Sequence, residues 1–306
     1  MSNNCHAYSL LQQMKVQPKS VSLIRSKNGI HLYRVETSDG FYVLKIFDND
    51  DDRREIENYK LLGKLGVLTL PLVAYTDKAI LLPDLEKCDR FRLGVESDLS
   101  DVNVAKALAK WYKKFHSAGT NIDLHGFYDE MDIISLQNIN EVAQLPEIKN
   151  NRLRNELQDK FTEIRSKIAA MPHTLVYNDF YWTNFAVSRD GSSAMMFDFN
   201  LMGRGYAYGD VRNVLLSLQT EKTKQAFLDE YGLSNINPSE VIADNALAPL
   251  CFVLRPDRRW SALESFKKLN GGVEGSKLLE NLQNWLKNED YDQTQEKILK
   301  GLQFWS

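Results

Sequence analysis

An α+β protein in two parts is predicted by three features of the sequence. Short β-rich runs separated by turn signals fill residues 1–85, helical periodicity dominates residues 86–306, and Pro83-Asp84-Leu85-Glu86 marks the change of character as a hinge. A chain of 306 residues is long enough for one large domain or two unequal lobes. Lys and Arg number 38 against 41 Asp and Glu, a net charge of −3, so no global attraction to nucleic acid or anionic lipid is expected. With 43% apolar and 26% charged residues the composition is that of a globular protein and not of a disordered chain. There is no uninterrupted apolar run of about 18 residues, no basic-then-apolar leader, and no CxxC spacing among Cys5, Cys88 and Cys251. A cytoplasmic protein with reduced thiols, without a membrane or nucleic-acid partner, is the expectation. The sequence leaves the oligomeric state open.

The elements follow in order. Tyr8, Leu10, Leu11 and Met14 predict a short helix stopped near Pro18. Val21–Ile24, Ile30–Val35 and Phe41–Phe47 read as three strands separated by the turns Ser26-Lys27-Asn28-Gly29 and Ser38-Asp39-Gly40, an antiparallel meander. The acidic stretch from Asp48 to Asp52 leads into a helix from about Arg53 to Leu65. Leu70–Ala74 and Ala79–Leu82 read as two further strands. Val104, Leu108, Trp111, Tyr112 and Phe115 recur at helical spacing from Val102 onward, and Leu153–Ala170 reads as one helix stopped by Pro172. Three short apolar runs follow, 175–177, 185–187 and 194–197, and the chain from Val211 onward reads as helical.

The chemistry concentrates in Tyr177-Asn178-Asp179-Phe180-Tyr181-Trp182-Thr183-Asn184, where a carboxylate and an amide stand at D-x-x-x-x-N between two strand-like runs. A second carboxylate, Asp198, follows the apolar run Met195-Met196-Phe197. Phosphoryl transfer needs one carboxylate to position or deprotonate the attacking hydroxyl, and a second carboxylate and an amide to hold Mg²⁺ on nucleotide phosphates. Mg²⁺ takes few protein oxygens, and Asn184 and Asp198 supply that minimum. The upstream half carries an independent signal. Lys45 is a lone lysine inside the strand Phe41–Phe47, and a buried lysine requires a carboxylate partner. Glu55 and Glu57, at the start of the next helix, are the two candidates for that partner.

These residues resemble the aminoglycoside phosphotransferase and choline kinase-like family, small-molecule kinases with a protein-kinase-like fold. The resemblance spans roughly Val21 to Leu218 and is most specific across Val176 to Asp210. It implies a bilobal α+β fold with an antiparallel β-rich lobe over 1–85, a larger helical lobe over 86–306 that carries the acceptor site, and nucleotide in the cleft between them. By the same resemblance Asp179 is the catalytic aspartate, and Asn184 and Asp198 are the metal ligands. Lys45 is the phosphate lysine with Glu55 as its ion-pair partner. Ser26, Asn28 and Gly29 belong to the loop over the phosphates, and the backbone of Pro83 and Leu85 faces adenine. Asp210 braces the catalytic loop. The implied activity is Mg²⁺-dependent transfer of the γ-phosphate of ATP or GTP to a hydroxyl of an aminoglycoside or related antibiotic. A metabolite such as choline, a sugar or homoserine is the alternative acceptor, and a catalytically silent nucleotide-binding module is the alternative class. Asp210 lies only twelve positions after Asp198, too few for a peptide-docking activation segment, so a protein kinase is disfavoured.

The sequence departs from the family pattern in three places. Tyr177-Asn178-Asp179 replaces His-Gly-Asp, and Asp198-Phe199-Asn200 replaces Asp-Phe-Gly, with Asn200 expected to take the positive φ that glycine takes. No G-x-G-x-x-G precedes Lys45. Tyr181 and Trp182 are read either as acceptor-pocket residues or as packing aromatics, and His116 as a hydrogen-bonded or cationic helix end. The acidic run Glu280–Glu296 reads as solvated surface, and Arg255, Arg258 and Arg259 as surface ion-pairing groups.

Overall fold

A computed structural model describes residues 2–143, 152–254 and 273–287. Arg255, Arg258, Arg259 and most of the acidic run lie outside the described residues. The chain divides into two compact units. The first comprises Met1–Ala118, Asp179–Met202 and Ser217–Tyr231, and the second the described parts of Gly119–Asn178, Gly203–Leu216 and Gly232–Ser306.

The first unit begins with helix α1 (Ser2–Gln13), followed by strands β1 (Ser20–Lys27), β2 (Ile30–Glu36) and β3 (Phe41–Phe47). Helix α2 (Asp50–Leu65) precedes β4 (Ala74–Tyr75) and β5 (Ala79–Pro83). The sheet order is β1-β2-β3-β5-β4, all antiparallel. The expected meander holds for three strands; β5 then pairs with β3, which becomes an interior strand. Side chains alternate across a strand. Leu44 and Ile46 of β3 join Tyr33, Val35, Ala79 and Leu81 in an apolar face covered by Ala7, Leu10 and Leu11 of α1. Lys45 therefore points to the opposite face, the side of α2. The first turn of α2 contains Asp50, Asp51 and Asp52, where acid suits the positive end of the helix dipole, so the helix starts three residues before the expected Arg53. The expected strand Leu70–Ala74 shrinks to Ala74–Tyr75 because Pro71 has no ladder donor.

A second sheet in this unit has the order β6 (Phe91–Leu93), β8 (Phe185–Ser188), β9 (Ala194–Met196). Strand β6 was not foreseen; three residues carry too little pattern. Helices α3 (Val102–Gly119) and α8 (Glu221–Tyr231) belong to this unit in all but the last residue of α3.

In the second unit β7 (Thr174–Val176) pairs antiparallel with β10 (Gly203–Gly205), and Gly203 faces Val176. No side chain fits there, since a Cβ on Gly203 would lie 2.0 Å from the Tyr128 carbonyl oxygen. The expected helix Leu153–Ala170 is two helices, α5 (Arg152–Asp159) and α6 (Phe161–Ala170). No Pro or Gly marks the break at Lys160, and Lys160 N–H still donates to the Glu156 carbonyl. Helix α4 (Leu136–Ala143) precedes them. Helix α7 (Ala207–Ser217) follows β10, and α9 (Pro238–Leu254) packs against α10 (Val273–Leu286). Among the described residues no helix is long and apolar enough to cross a membrane, and Cys5, Cys88 and Cys251 form no disulfide.

Candidate active site

Lys45 sits between Leu32 of β2 and Ile80 of β5 and is 6% exposed. On an interior strand the lysine has no sheet edge from which to reach solvent. Its Nζ donates to Glu55 Oε2 at 2.6 Å and to Asp198 Oδ1 at 2.7 Å. Glu55 is fully buried, whereas Glu57 is exposed and pairs with Lys60, so the helix presents Glu55 to the lysine. Burial alone would lower the Lys45 pKa, but Glu55 and Asp198 together outweigh it and hold the ammonium above its ordinary range. Burial pushes Glu55 up to about 7 against the opposing pull of Lys45, and Asp198 adds to the rise. One ammonium thus faces two carboxylates. Of the two, Asp198 is the more accessible, its side chain 35% exposed against 1% for Glu55.

Asp179 and Asn184 are brought to the same unit by the loop after β7. Asp210, 1% exposed at the start of α7, accepts the Tyr177 N–H at 2.7 Å and the Asn178 N–H at 2.9 Å. Asn178 takes φ 65°, the left-handed conformation that asparagine tolerates, which explains how it replaces the glycine of the family pattern. Asp179 follows directly. The Asn184 amide nitrogen donates to the Asp179 carboxylate at 2.9 Å and to its carbonyl at 3.1 Å. With its NH₂ spent in this way, the Asn184 side-chain oxygen is left as the group that can meet a cation. Thr183 Oγ1 approaches that oxygen at 3.3 Å. The Asn184 carbonyl accepts the Phe197 N–H at 3.0 Å, so the β8–β9 hairpin sets Asp198 one residue beyond the partner of Asn184.

At the following turn the positive φ falls on Asp198 itself, at 63°, and not on Asn200. The expectation for Asn200 is corrected: the carboxylate-bearing residue carries the unusual backbone. A non-glycine residue in this region persists only where its surroundings over-determine it. Phe199 is fully buried, with its ring edge-on to Tyr59 at 4.9 Å between centroids and stacked on Trp111 at 6.4 Å. Asn58 Nδ2 donates to the Phe199 carbonyl at 2.8 Å. Asn58 and Tyr59 escaped sequence reasoning. The usable signal was their helical spacing from Glu55, which places all three on one face of α2.

Asn28 (φ 52°) and Gly29 (φ 79°) form a two-residue hairpin turn with both residues left-handed, the geometry that an Asn-Gly pair favours. The Gly29 carbonyl accepts the Asp48 N–H, and Asn49 Nδ2 donates to the Asn28 carbonyl. Register puts Ile30 opposite Phe47, so this tip lies at the end of β3 beyond Lys45. Ser26 Oγ lies 2.8 Å from His31 Nδ1, and His31 Nε2 lies 2.9 Å from Asp48 Oδ2. Pro83 ends β5 opposite Tyr42, at the other end of β3, and Leu85 is buried in the short turn that follows. Asp84 between them caps that turn and binds Arg34 at 2.6 Å. Tyr181 is 55% exposed on the same loop as Asp179. His116 is buried, with Nδ1 2.8 Å from the Tyr231 hydroxyl, the hydrogen-bonded alternative of its two readings.

Among the described residues no group of three or more His, Cys, Asp or Glu is disposed to hold a metal. The donor set of one carboxylate and one amide oxygen is the sparse oxygen environment Mg²⁺ accepts.

Comparison with known proteins places the chain. The profile of the phosphotransferase enzyme family matches residues 21–241, and the chain belongs to this family. No curated protein matches. Among solved structures it is similar to the choline kinase LicA from Streptococcus pneumoniae, at TM-score 0.60 and 14% identity over 98% of this chain and 99% of that one. It is similar also to the macrolide 2'-phosphotransferase MphH from Brachybacterium faecium, at TM-score 0.57 and 16% identity over 85% and 97%. A third is spectinomycin phosphotransferase APH(9)-Ia in complex with ADP and spectinomycin, at TM-score 0.55 and 12% identity over 98% of each chain. The fold is the protein-kinase-like α+β fold of small-molecule kinases, and the class of activity is phosphotransfer.

Proposed function

We propose that this protein transfers the γ-phosphate of ATP or GTP to a hydroxyl of a small polar molecule, with Asp179 as the residue that orients and deprotonates that hydroxyl. The observation that supports the reading most strongly is the buried ion-pair trio Glu55–Lys45–Asp198, a lysine held in reserve for phosphate by one buried and one accessible carboxylate. Lys45 grips the α and β phosphates while Glu55 keeps its ammonium in place. Asn184 and Asp198 hold Mg²⁺, which offsets negative charge on the phosphates when bound. Asn184 also fixes the Asp179 carboxylate through its NH₂ group, so one amide serves both positions. Residues 1–85 act as the nucleotide-binding lobe, with the Asn28-Gly29 tip and Ser26 over the phosphates and the backbone of Pro83 and Leu85 at the base. Residues 86–306 supply the catalytic loop and the acceptor side, where exposed Tyr181 is available to a ligand.

The acceptor is an aminoglycoside or related antibiotic, with choline, a sugar or homoserine as competitors. The neighbouring structures named above are a choline kinase, a macrolide 2'-phosphotransferase and a spectinomycin phosphotransferase, which supports a hydroxylated small molecule. The test is ADP production by the purified chain with Mg²⁺ and ATP or GTP, against a panel of aminoglycosides, macrolides, spectinomycin, choline, sugars and homoserine. One acceptor should raise ADP release well above the acceptor-free rate. A panel-wide absence of stimulation, with nucleotide bound, would favour the silent nucleotide-binding module.

A further inference from the structure

We infer that Asn58 is a positioning residue for the metal-binding carboxylate of Asp198, an inference that rests on the phosphotransferase reading above. Three side chains on one face of α2 converge on two consecutive residues of the turn after β9. Glu55 reaches the Asp198 side chain through Lys45, Asn58 donates to the Phe199 carbonyl at 2.8 Å, and Tyr59 meets the Phe199 ring. Asp198 needs this support because its φ of 63° is unfavourable for a residue with a Cβ. The ring contact and the ion pair fix side chains. Glu55 and Tyr59 also face the backbone N–H groups of Phe199 and Asp198, whereas Asn58 holds the carbonyl one residue past Asp198, shared with the Met202 N–H at 3.2 Å, and thereby bears on the dihedral angles that aim the carboxylate. Asn58 is 6% exposed, so water cannot replace the donor cheaply. Without it the turn can relax toward a negative φ at Asp198, and the carboxylate loses its aim beside Lys45, whose Nζ it now meets at 2.7 Å. In this proposal Asn58 acts through the backbone of its neighbour, by its bond to the Phe199 carbonyl.

The experiment is calorimetric titration of the full chain with the non-hydrolysable analogue adenylyl imidodiphosphate, with and without Mg²⁺. The readout is the factor by which Mg²⁺ tightens nucleotide binding. Asn58→Ala removes the donor, and Asn58→Leu removes it while filling the space, so that one of the two folds even if the other does not. Leu62→Ala, which truncates a buried apolar side chain further along the same helix, is the control for general loss of stability. Both Asn58 variants should bind metal-free nucleotide within about twofold of the wild type and lose about tenfold of the Mg²⁺ enhancement, the scale of one hydrogen bond. Leu62→Ala should melt lower and keep the enhancement. Asn58 variants that keep the wild-type enhancement, or that lose metal-free and Mg²⁺-dependent binding in parallel as Leu62→Ala melts, overturn the positioning role alone. A wild-type chain that binds no nucleotide overturns the phosphotransferase reading and this inference together.

Discussion

Lys45 and Asp198, 153 residues apart in the chain, meet at 2.7 Å between Nζ and Oδ1. The pairing ties the interior strand of the first sheet to the turn that follows β9. It also leaves Glu55 with a single ammonium to neutralise it in a fully buried position.

Lys45→Met should therefore destabilise the protein by about 3–5 kcal/mol, because it strands a buried carboxylate. The double variant Lys45→Met/Glu55→Gln should recover a substantial part of that loss, while nucleotide binding stays absent in both. Urea unfolding of the two variants beside the wild type checks the order of stabilities. A double variant no more stable than the single one would mean that Glu55 is not strained by the loss of its partner.

Gly94 reaches the active loop from outside it. Its N–H donates to the Phe185 carbonyl, and a Cβ there would lie 2.6 Å from the Trp182 carbonyl oxygen and 2.7 Å from the Phe185 ring. Gly94→Ala should push the 182–185 segment away, at about 1–3 kcal/mol of stability, and displace Asn184 with it. Turnover should fall further than the melting temperature alone would explain at a temperature where the variant is fully folded.

Asp210→Ala orphans the N–H groups of Tyr177 and Asn178, both bound at 2.9 Å or less. The expected cost is about 3 kcal/mol, read by urea unfolding. Asp210→Glu should not restore it, since the longer arm cannot keep both oxygens on adjacent amides.

Glu240 supplies a pH signature in the second unit. Burial pushes its carboxyl up to about 7; the Tyr208 N–H opposes the rise and Asp244 adds to it. Between its ordinary 4.5 and about 7 the folded chain holds a proton that the unfolded chain has released. Stability is therefore lost as pH rises through that window and levels off above it. Glu240→Gln keeps an acceptor for Tyr208 and removes the titration. It should match the wild type near pH 4.5 and be more stable by about 2–3 kcal/mol at pH 8. Unfolding curves across that range check the divergence, and parallel curves would refute it.

The site was legible where a residue type clashed with its surroundings. A lysine inside Phe41–Phe47 announced a buried partner, and D-x-x-x-x-N between two strand-like runs announced a shared loop, while the hairpin that sets Asp198 beside it emerged only in the fold. The spacing could not choose between Glu55 and Glu57, because that depends on where α2 begins, and the three acids at its start shift it to Asp50. Asn58 was hidden for a different reason: a polar residue in a charged helix start looks solvated until the Phe199 carbonyl is seen beside it. The left-handed backbone of Asp198 was assigned to Asn200 by residue preference, and tertiary support from α2 outweighed that preference. Gly94 carries no signal in the sequence, since the Trp182 carbonyl that crowds it lies far along the chain. In the fold, β6 and β10 are three residues each and gain their identity only from their partners.

The most direct test of the account is transfer of labelled γ-phosphate from Mg²⁺-bound nucleotide to the acceptor found in the panel, by the wild type and by Asp179→Asn, with nucleotide affinity measured on both. Removing the proton acceptor should cut turnover by about 10²–10⁴-fold and leave nucleotide affinity within about twofold. An Asp179→Asn enzyme that transfers phosphate at the wild-type rate would contradict it.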